Sequence, residues 1–249
     1  MLPVVQLGPL SIQAYLLVLL LSAWAGLAIG AWAAQRLGLE GDHIYNAGLY
    51  GLLAGLNAGR AGHVIAFWSA YRAQPVEIIG LNTRAFLLWP GIVVGLMVAG
   101  WYVRRHKLPW GPVLDAAAPG ALVGIAIADL GALLAGRALG APTTAPWAVT
   151  VWGVARHPSQ VYETLAALTV LAVTLRMLRT RGRPGSVAWV GLLGYGLSRW
   201  LLEPFRAEST SILGGLRVPQ LLGLAAALIA LWALRGNISP ESPRSGDAQ

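Results

Sequence analysis

The segment from His157 to Glu163, reading HPSQVYE, brings a histidine, a glutamine, a tyrosine and a glutamate together beside a hydrophobic stretch. A histidine can exchange a proton near neutral pH, and a glutamate can pair with a cation. Ionisable groups at the border of a membrane span cost free energy unless something binds or reacts there. This segment is therefore the first candidate for a functional site.

The composition of the chain is that of an integral membrane protein. Of its 249 residues, 56% are hydrophobic and 11% are charged, and the mean hydropathy is +0.62. A helix needs about 20 apolar residues to cross the hydrocarbon core, and the hydrophobic pattern predicts seven such spans. They are centred on residues 12–33, 44–68, 85–103, 117–136, 161–178, 187–204 and 216–234. We therefore predict an all-α, polytopic membrane helical bundle of seven transmembrane helices.

The predicted spans form one integral membrane domain, residues 1–236. The polar, Pro- and Ser-rich residues 237–249 predict a disordered tail. Arginine and lysine are more frequent in the tail and in the loops after the first, third and fifth spans than in the other loops. Because basic residues concentrate on the cytoplasmic side, we expect an external N-terminus and a cytoplasmic C-terminus.

The chain contains no cysteine, which excludes disulfides, cysteine-ligated metals and thiolate catalysis by the protein itself. Any thiol in the chemistry must belong to a substrate. We expect no metal and no cofactor. The basic residues are spread through short loops rather than gathered on one face, which argues against nucleic-acid binding.

Glycines mark the second predicted span. Gly48, Gly51, Gly55, Gly59 and Gly62 are spaced so closely that they form a band along the helix. Small residues at this spacing let two membrane helices approach closely. We predict that the band packs against a neighbouring helix.

Polar side chains of several predicted spans gather at one level of the membrane. In the expected orientation, spans one and five begin at the outer side and spans two, four and six end there. The polar side chains lie near these outer ends. Arg199, Glu203 and Arg206 share one helical face at this level. The whole set comprises Tyr15, Asn57, Arg60, His63, Asp129, Arg137, Gln160, Tyr162, Glu163, Arg199, Glu203 and Arg206.

These arginines predict a binding site for a phospholipid headgroup. Arginine is suited to bidentate recognition of a phosphate or a carboxylate. The alternative is that the charges only neutralise each other, with Arg199 paired to Glu203, and Arg60 paired to Asp129 or Glu163. A single pair would suffice for packing, so a cluster spread over several helices favours the lipid site.

Five segments of the chain follow one another in the order in which they occur in a known family. They are LGPLSIQAYLL near the start, AGRAGHV at 58–64, GAPTTAPWAV at 140–149, HPSQVYE at 157–163 and YGLSRWLLEPFR at 195–206. In these segments the chain resembles the bacterial prolipoprotein diacylglyceryl transferases. The resemblance implies an enzyme of the bacterial inner membrane that transfers the diacylglyceryl group of phosphatidylglycerol to the lipobox cysteine of a prolipoprotein signal peptide and releases glycerol phosphate.

The resemblance also implies roles for individual residues. Arg199 is implied as the main contact of the lipid phosphate, and Arg60 as the second contact. His157 is a candidate general base, although Pro158 and Ser159 also suit the start of a helix, with Ser159 as its cap. The positions that match the family pattern are Tyr15, Arg60, His157, Ser159, Gln160, Tyr162, Glu163, Arg199, Glu203 and Arg206.

Two regions depart from the family pattern. At the start of the third span, where the family has a histidine that is the expected base, this chain has Pro90. In the fourth span the family pattern G-R-x-G-N-x-x-N-G-E has alanines here in place of both asparagines. Asp129 replaces its arginine and Arg137 replaces its glutamate. Both of these replacements reverse the charge, which indicates an exchange of roles.

Two functions remain open on the sequence alone. In the first, the chain is a transferase in which His63 or His157 accepts the proton, while Arg60, Arg137 and Arg199 hold the phosphate. In the second, it is a non-catalytic relative that binds phospholipid or a lipoprotein precursor. A transporter is disfavoured, because the sequence shows no inverted repeat and no paired broken helices.

Overall fold

Helices make up most of the fold, as the hydrophobic pattern predicts. The computed structural model describes residues 5–7, 10–12, 14–79, 85–137, 139–180, 182–207, 211–212 and 216–238. Its helices are α1 Ala14–Arg36, α2 Gly41–Ala66, α3 Trp68–Ala73, α4 Leu88–Arg105, α5 Trp110–Leu134, α6 Ser159–Arg179, α7 Ser186–Leu202 and α8 Val218–Ile238. Each of the seven predicted hydrophobic segments coincides with one long helix. The short α3 is not among the predicted elements.

Four of these helices, α1, α5, α6 and α8, are long and apolar enough to cross a membrane. The helices α2, α4 and α7 coincide with predicted spans but do not meet the same measure of length and apolarity. Large apolar side chains point outward around the bundle, with Trp24, Leu96 and Trp232 60%, 69% and 79% exposed. An apolar surface of this kind is suited to lipid. The protein is a multi-pass helical membrane protein, whereas the count of seven spans stays a prediction.

The helix α5 lies at the centre of the bundle. It packs against α1, α6 and α7, while α2 and α4 join the bundle mainly through α1, and α8 joins it through α7. The apolar core lies at the end where α1, α4 and α6 finish and α2, α5 and α7 begin. At that end Ala33 and Ala116 are fully buried. The polar residues singled out in the sequence lie towards the opposite end.

The glycine band of α2 packs against α4, as predicted. A Cβ on Gly55 would lie 2.8 Å from the carbonyl oxygen of Gly91, and a Cβ on Gly95 would lie 2.8 Å from that of Gly51. Neither distance leaves room for a side chain, so the two backbones are in direct contact.

The start of α7 is capped by a side chain of α5. The buried carboxylate of Asp115 accepts hydrogen bonds from the backbone N–H of Gly185 (2.6 Å) and of Ala188 (2.8 Å). The first amides of a helix have no partner within it, and this carboxylate supplies one. The direction in which α7 leaves the core end is therefore fixed by α5.

Short hairpins lie in the connections at the opposite end. They are β1 Val5–Leu7 with β2 Leu10–Ile12, β3 Val149–Val151 with β4 Val154–Arg156, and β5 Ser211–Ile212 with β6 Leu216–Arg217, all antiparallel. The turn between β3 and β4 has positive φ at Trp152 and Gly153, 55° and 76°, as a tight two-residue hairpin requires. The predicted all-α class is correct for the bundle, and these hairpins are additions to it.

The C-terminal helix continues past the predicted domain boundary at residue 236, because α8 ends at Ile238. The remainder of the predicted disordered tail, 239–249, lies outside the described residues.

Candidate active site

The loop 139–143 ties the start of α6 to the end of α7. On one side, the backbone N–H of Ala141 donates to the carbonyl of Phe205 at 2.8 Å. On the other side, the N–H of His157 donates to the carbonyl of Ala141 at 2.9 Å. Gly140 is needed between them, because a Cβ there would lie 1.8 Å from the carbonyl oxygen of His157. The loop therefore fixes the distance between the start of α6 and the end of α7, and both of these segments carry ionisable side chains.

Two glutamates and two arginines form a network of ion pairs between α6 and the end of α7. Both carboxylate oxygens of Glu163 accept hydrogen bonds from Nη1 of Arg206, at 2.8 and 2.7 Å. Nη1 of Arg199 lies 3.3 Å from Oε1 of Glu163, and its Nη2 lies 2.6 Å from Oε2 of Glu203. Glu163 and Glu203 are 7% and 1% exposed, so the arginines offset the loss of hydration. The contact between Arg199 and Glu203 that the charge-neutralising alternative requires is present, while the lipid site stays a prediction.

A cavity of about 240 Å³ opens beside this network. It is referred to below as the charged cavity, and its lining residues are Asp129, Glu163, Ala167, Tyr195, Ser198, Arg199 and Arg206. Three helices and the segment after α7 contribute to it, since Asp129 comes from α5. In the described part of the chain, the Asp129 carboxylate makes no hydrogen bond and no ion pair. The described residues contain no cluster of three or more His, Asp or Glu side chains that suits a metal ion.

Arg206 keeps donors for a further acceptor. Each hydrogen bond that its side chain makes within the described ranges uses Nη1, whereas a guanidinium has five N–H groups. Arg206 follows the last turn of α7, outside the helix. Burial would lower the pKa of its guanidinium, but the charge of Glu163 and the hydrogen bonds to it raise this pKa above its ordinary value. Arg206 therefore carries a positive charge towards the cavity at physiological pH.

Arg217, at the end of β6, binds the backbone of the segment that carries Arg206. Its Nη1 donates to the backbone carbonyl of Glu203 at 2.6 Å and to that of Arg206 at 2.7 Å. The sequence does not single out Arg217 as a site residue, because contacts with a distant backbone leave no signature in side-chain spacing. Tyr195, also missed, carries a usable signal, since it precedes Arg199 by four residues and so shares its helical face.

Arg60 lies apart from the charged cavity. Its guanidinium donates to the backbone carbonyls of Glu77, of Ile78 at 3.1 Å and of Ala85 at 2.9 Å. It also lies over the ring of Tyr71, 5.4 Å from the ring centroid. The suggested ion pair between Arg60 and a carboxylate of α5 or α6 does not form, because these carbonyls occupy the guanidinium. A role for Arg60 as second contact of the phosphate stays a prediction.

His63 belongs to the same region at the end of α2. Its Nδ1 lies 3.1 Å from the hydroxyl of Tyr71, and its ring centroid lies 4.6 Å from that of Phe67. A Cβ on the preceding Gly62 would lie 3.0 Å from Cγ of Pro90, so Pro90 lies at the contact between α2 and α4. His63 does not line the charged cavity, and its role as a base stays a prediction.

The HPSQVYE segment opens α6. The suggested cap at Ser159 is wrong, because the helix already begins at this buried residue, Pro158 is the capping position and no side chain caps the helix. Nδ1 of His157 lies 3.3 Å from the hydroxyl of Tyr162, which accepts a hydrogen bond from Nε1 of Trp147 at 2.7 Å. His157 and Tyr162 contact each other and do not line the charged cavity. A role for His157 as a base stays a prediction.

Gln160, Arg137 and Tyr15 join three elements at this end of the bundle. Nε2 of Gln160 donates to the backbone carbonyl of Arg137 at 2.7 Å. The guanidinium of Arg137 lies over the ring of Tyr15, 4.4 Å from its centroid. These contacts link α6, the end of α5 and the start of α1. The three side chains lie outside the lining of the charged cavity, and their roles in substrate binding stay predictions.

Comparison with known proteins identifies the family. The family model described as prolipoprotein diacylglyceryl transferase matches residues 3–235. A relative from Aromatoleum aromaticum is 33% identical over 233 residues, covering 89% of this chain and 86% of its own. One from Geobacter sulfurreducens is 33% identical over 241 residues, covering 91% of each chain. Both relatives are named phosphatidylglycerol-prolipoprotein diacylglyceryl transferase, and the chain belongs to the prolipoprotein diacylglyceryl transferase family.

Proposed function

We propose that this protein transfers the diacylglyceryl group of phosphatidylglycerol to the lipobox cysteine of a prolipoprotein signal peptide, and that the reaction takes place at the charged cavity. The observation that carries the proposal is the cavity itself, in which Arg199, Arg206 and Asp129 lie together at one end of a membrane bundle. Membership of the family over residues 3–235 supports the same activity.

The reaction requires a site for a phosphate and an acceptor for a proton. The thiol sulfur attacks the carbon of the diacylglyceryl group that is bonded to the phosphate oxygen, so an S–C bond forms and the C–O bond at that carbon breaks. Glycerol phosphate leaves with the electron pair of that bond, and the thiol proton passes to a base. Arg199 and Arg206 stabilise the charge that develops on the departing phosphate, because their orientation is fixed before the reaction.

We infer that Asp129 accepts the thiol proton. Glu163 is the other carboxylate in the lining of the cavity, and both of its oxygens already accept hydrogen bonds from Arg206. Asp129 has no such partner within the described residues. His63 and His157, the bases that the sequence suggests, lie outside the lining. Asp129 would then take over the role of the histidine that Pro90 replaces.

We propose that the protein works in the bacterial inner membrane with the charged cavity at the outer face, the N-terminus outside and the C-terminus in the cytoplasm. The cavity lies where α5 and α7 finish and α6 begins. Basic residues are enriched in the loops at the opposite end, which supports placing that end in the cytoplasm. An outer cavity has access to a lipobox cysteine exposed after export of a precursor.

The same carboxylate favours a second candidate function. Asp129 stands where the family pattern has an arginine, and Pro90 stands where it has the expected base, so two groups expected of a transferase are replaced. If neither Asp129 nor a histidine accepts the thiol proton, the protein binds phospholipid or a prolipoprotein without reacting.

Mass spectrometry of a lipobox peptide incubated with the purified protein and phosphatidylglycerol separates the two functions. The wild type is expected to add a diacylglyceryl mass to the peptide, and Arg199→Ala to abolish this. Loss of a general base lowers turnover by about 10²–10⁴-fold, which is the result expected for Asp129→Asn. Asp42→Asn is the matched control, because Asp42 is an exposed carboxylate at the core end.

Each other result has a definite meaning. No mass increment with the wild type, while phosphatidylglycerol still co-purifies, would establish the binding function. Full turnover by Asp129→Asn together with a loss in His63→Gln or His157→Gln would return the role of base to that histidine.

A further inference from the structure

A second cavity lies at the core end of the bundle. Its volume is about 380 Å³, and it is lined by Trp32, Arg36, Leu175, Leu178 and Arg179. We refer to it as the α1–α6 cleft, since its residues come from the last turns of α1 and α6. Glu163 and Arg179 lie near opposite ends of α6, roughly 24 Å apart at 1.5 Å per residue. The α1–α6 cleft is therefore separate from the charged cavity.

The α1–α6 cleft opens between two helices that are both long and apolar enough to cross a membrane. Its lining combines an apolar part, formed by Leu175, Leu178 and the indole of Trp32, with a cationic part. The guanidinium of Arg36 lies 5.0 Å from the ring centroid of Trp32. An apolar surface ending in an indole and a cation matches the change from acyl chain to headgroup at a membrane interface.

Among the described residues, no carboxylate forms an ion pair with either cation of the cleft. Arg36 and Arg179 are exposed, and neither makes an ion pair within the residues that the structure covers. The lining of the cleft contains no Asp or Glu. Two guanidinium groups bordering one cavity without a carboxylate are suited to an anion with several oxygens, and a phosphate fits this description.

Arg104 is a basic residue at the same end of the bundle and provides a reference for the arginines of the cleft. It lies in the last turn of α4, and its guanidinium is 6.0 Å from the ring centroid of Trp110. The ends of α1 and α4 lie at the same end of the bundle, where Ala33 of α1 and Tyr102 of α4 share the apolar core. Arg104 nevertheless does not line the α1–α6 cleft.

We propose that the α1–α6 cleft binds one anionic phospholipid, with its phosphate between Arg36 and Arg179 and an acyl chain against Leu175 and Leu178. The Trp32 indole lies at the level of the headgroup. This lipid is bound at the end of the bundle opposite the charged cavity and is not the diacylglyceryl donor. The proposal therefore does not depend on the transfer reaction.

Native mass spectrometry of the purified full chain, titrated with phosphatidic acid, tests the proposal. Every protein sample carries Arg199→Ala, so that binding at the charged cavity is weakened in the whole series. Replacing both Arg36 and Arg179 by Ala is expected to weaken binding of phosphatidic acid about tenfold or more, as the loss of two charge-assisted contacts implies. Arg104→Ala with Arg105→Ala is the matched control, because it removes two positive charges from the same end, and it is expected to bind as its parent does.

Further arms identify the ligand chemistry. Phosphatidylcholine with the same acyl chains is expected to bind about tenfold more weakly than phosphatidic acid, and glycerol phosphate is expected not to compete. Competition by glycerol phosphate at equal concentration would show a site for a soluble phosphate and overturn the lipid assignment. Equal binding by the Arg36/Arg179 variant and the control would also overturn it. If the double variant is unstable, Arg179→Glu alone must show the loss.

Discussion

Glu163 holds both arginines of the charged cavity. It receives two hydrogen bonds from Arg206, and Arg199 lies beside the same carboxylate. A guanidinium held in this way keeps its remaining donors in place for a phosphate. The spacing that brings Arg199 and Glu203 together could be found in the sequence. The prediction that Arg206 shares their helical face is wrong, because α7 ends at Leu202 and Arg206 has an extended backbone. The link of both arginines to Glu163 could not be found there, because it depends on how α6 and α7 are placed side by side.

The first prediction concerns Arg217, which is a positioning residue. Arg217→Ala removes the donor that joins the carbonyls of Glu203 and Arg206, so the chain after α7 should shift. Misplacement of catalytic groups by about 1 Å can reduce turnover by about 10²-fold, and we expect kcat to fall more than KM rises. Diacylglyceryl transfer to the peptide is the measurement. Arg217→Lys should recover part of the loss, since an ammonium can still donate to both carbonyls; failure to do so would contradict the positioning role.

Among the elements, α7 and α8 approach so closely that the site depends on their contact. A Cβ on Gly223 would lie 2.7 Å from the carbonyl oxygen of Gly196 and 2.9 Å from Cβ of Arg199. The packing of α8 therefore limits where Arg199 can lie. The packing role of glycines along a helix could be predicted from their spacing, as it was for α2. A single glycine such as Gly223 gives no such pattern.

The second prediction follows from this contact. Gly223→Ala should separate α7 from α8, lower stability by about 1–3 kcal/mol and displace Arg199. The thermal unfolding temperature of the purified protein and the transfer rate should therefore fall together. Gly236→Ala on the same helix is the control, because a Cβ there meets nothing within 4 Å. Equal behaviour of the two variants would show that α7 and α8 can separate without cost.

The third prediction concerns the cap on α7. Asp115→Ala leaves the amides of Gly185 and Ala188 without their acceptor in a buried place, which costs about 1–3 kcal/mol. Thermal unfolding should show a lower midpoint. Asp42→Ala, at the exposed start of α2, should cost less than about 1 kcal/mol. A larger loss for Asp42→Ala than for Asp115→Ala would argue against the cap.

The short elements could not be predicted from the sequence. Hydrophobic runs predict the long helices, because each run must match the thickness of the membrane. The helix α3 and the 3-10 turn Pro75–Ile79 are too short to leave a periodic pattern. These two elements nevertheless supply contacts of Arg60 and His63, which the sequence could not identify.

Across the whole molecule, the apolar core and the charged cavity are separated along the axis of the bundle. The buried core occupies one end of the bundle, and the charged cavity occupies the other. The core stabilises the helix ends that are far from the charged cavity, so its packing places little constraint on the residues of that cavity. The basic loops predict that this core end faces the cytoplasm, and the orientation stays a prediction.

The fourth prediction tests which end faces outward. The chain has no cysteine of its own, so a single introduced thiol reports its location. Thr150→Cys in the exposed β3 strand should react with a membrane-impermeant maleimide in intact spheroplasts, whereas Arg105→Cys at the end of α4 should react after permeabilisation. The reverse pattern would invert the proposed orientation.

The contact between the backbones of α2 and α4 has a consequence for biosynthesis. Neither helix reaches the apolarity of the four helices that qualify as spans. The glycine face of α2 is covered by α4 at Gly51 and Gly55, and by α4 and the two residues before it at Gly59. During translation, α2 leaves the ribosome before its partner exists. We expect the translocon to retain α2 until α4 emerges and to release the two into the bilayer as a hairpin, so a bulky residue at Gly55 should be recognised by quality-control proteases before any enzyme has formed.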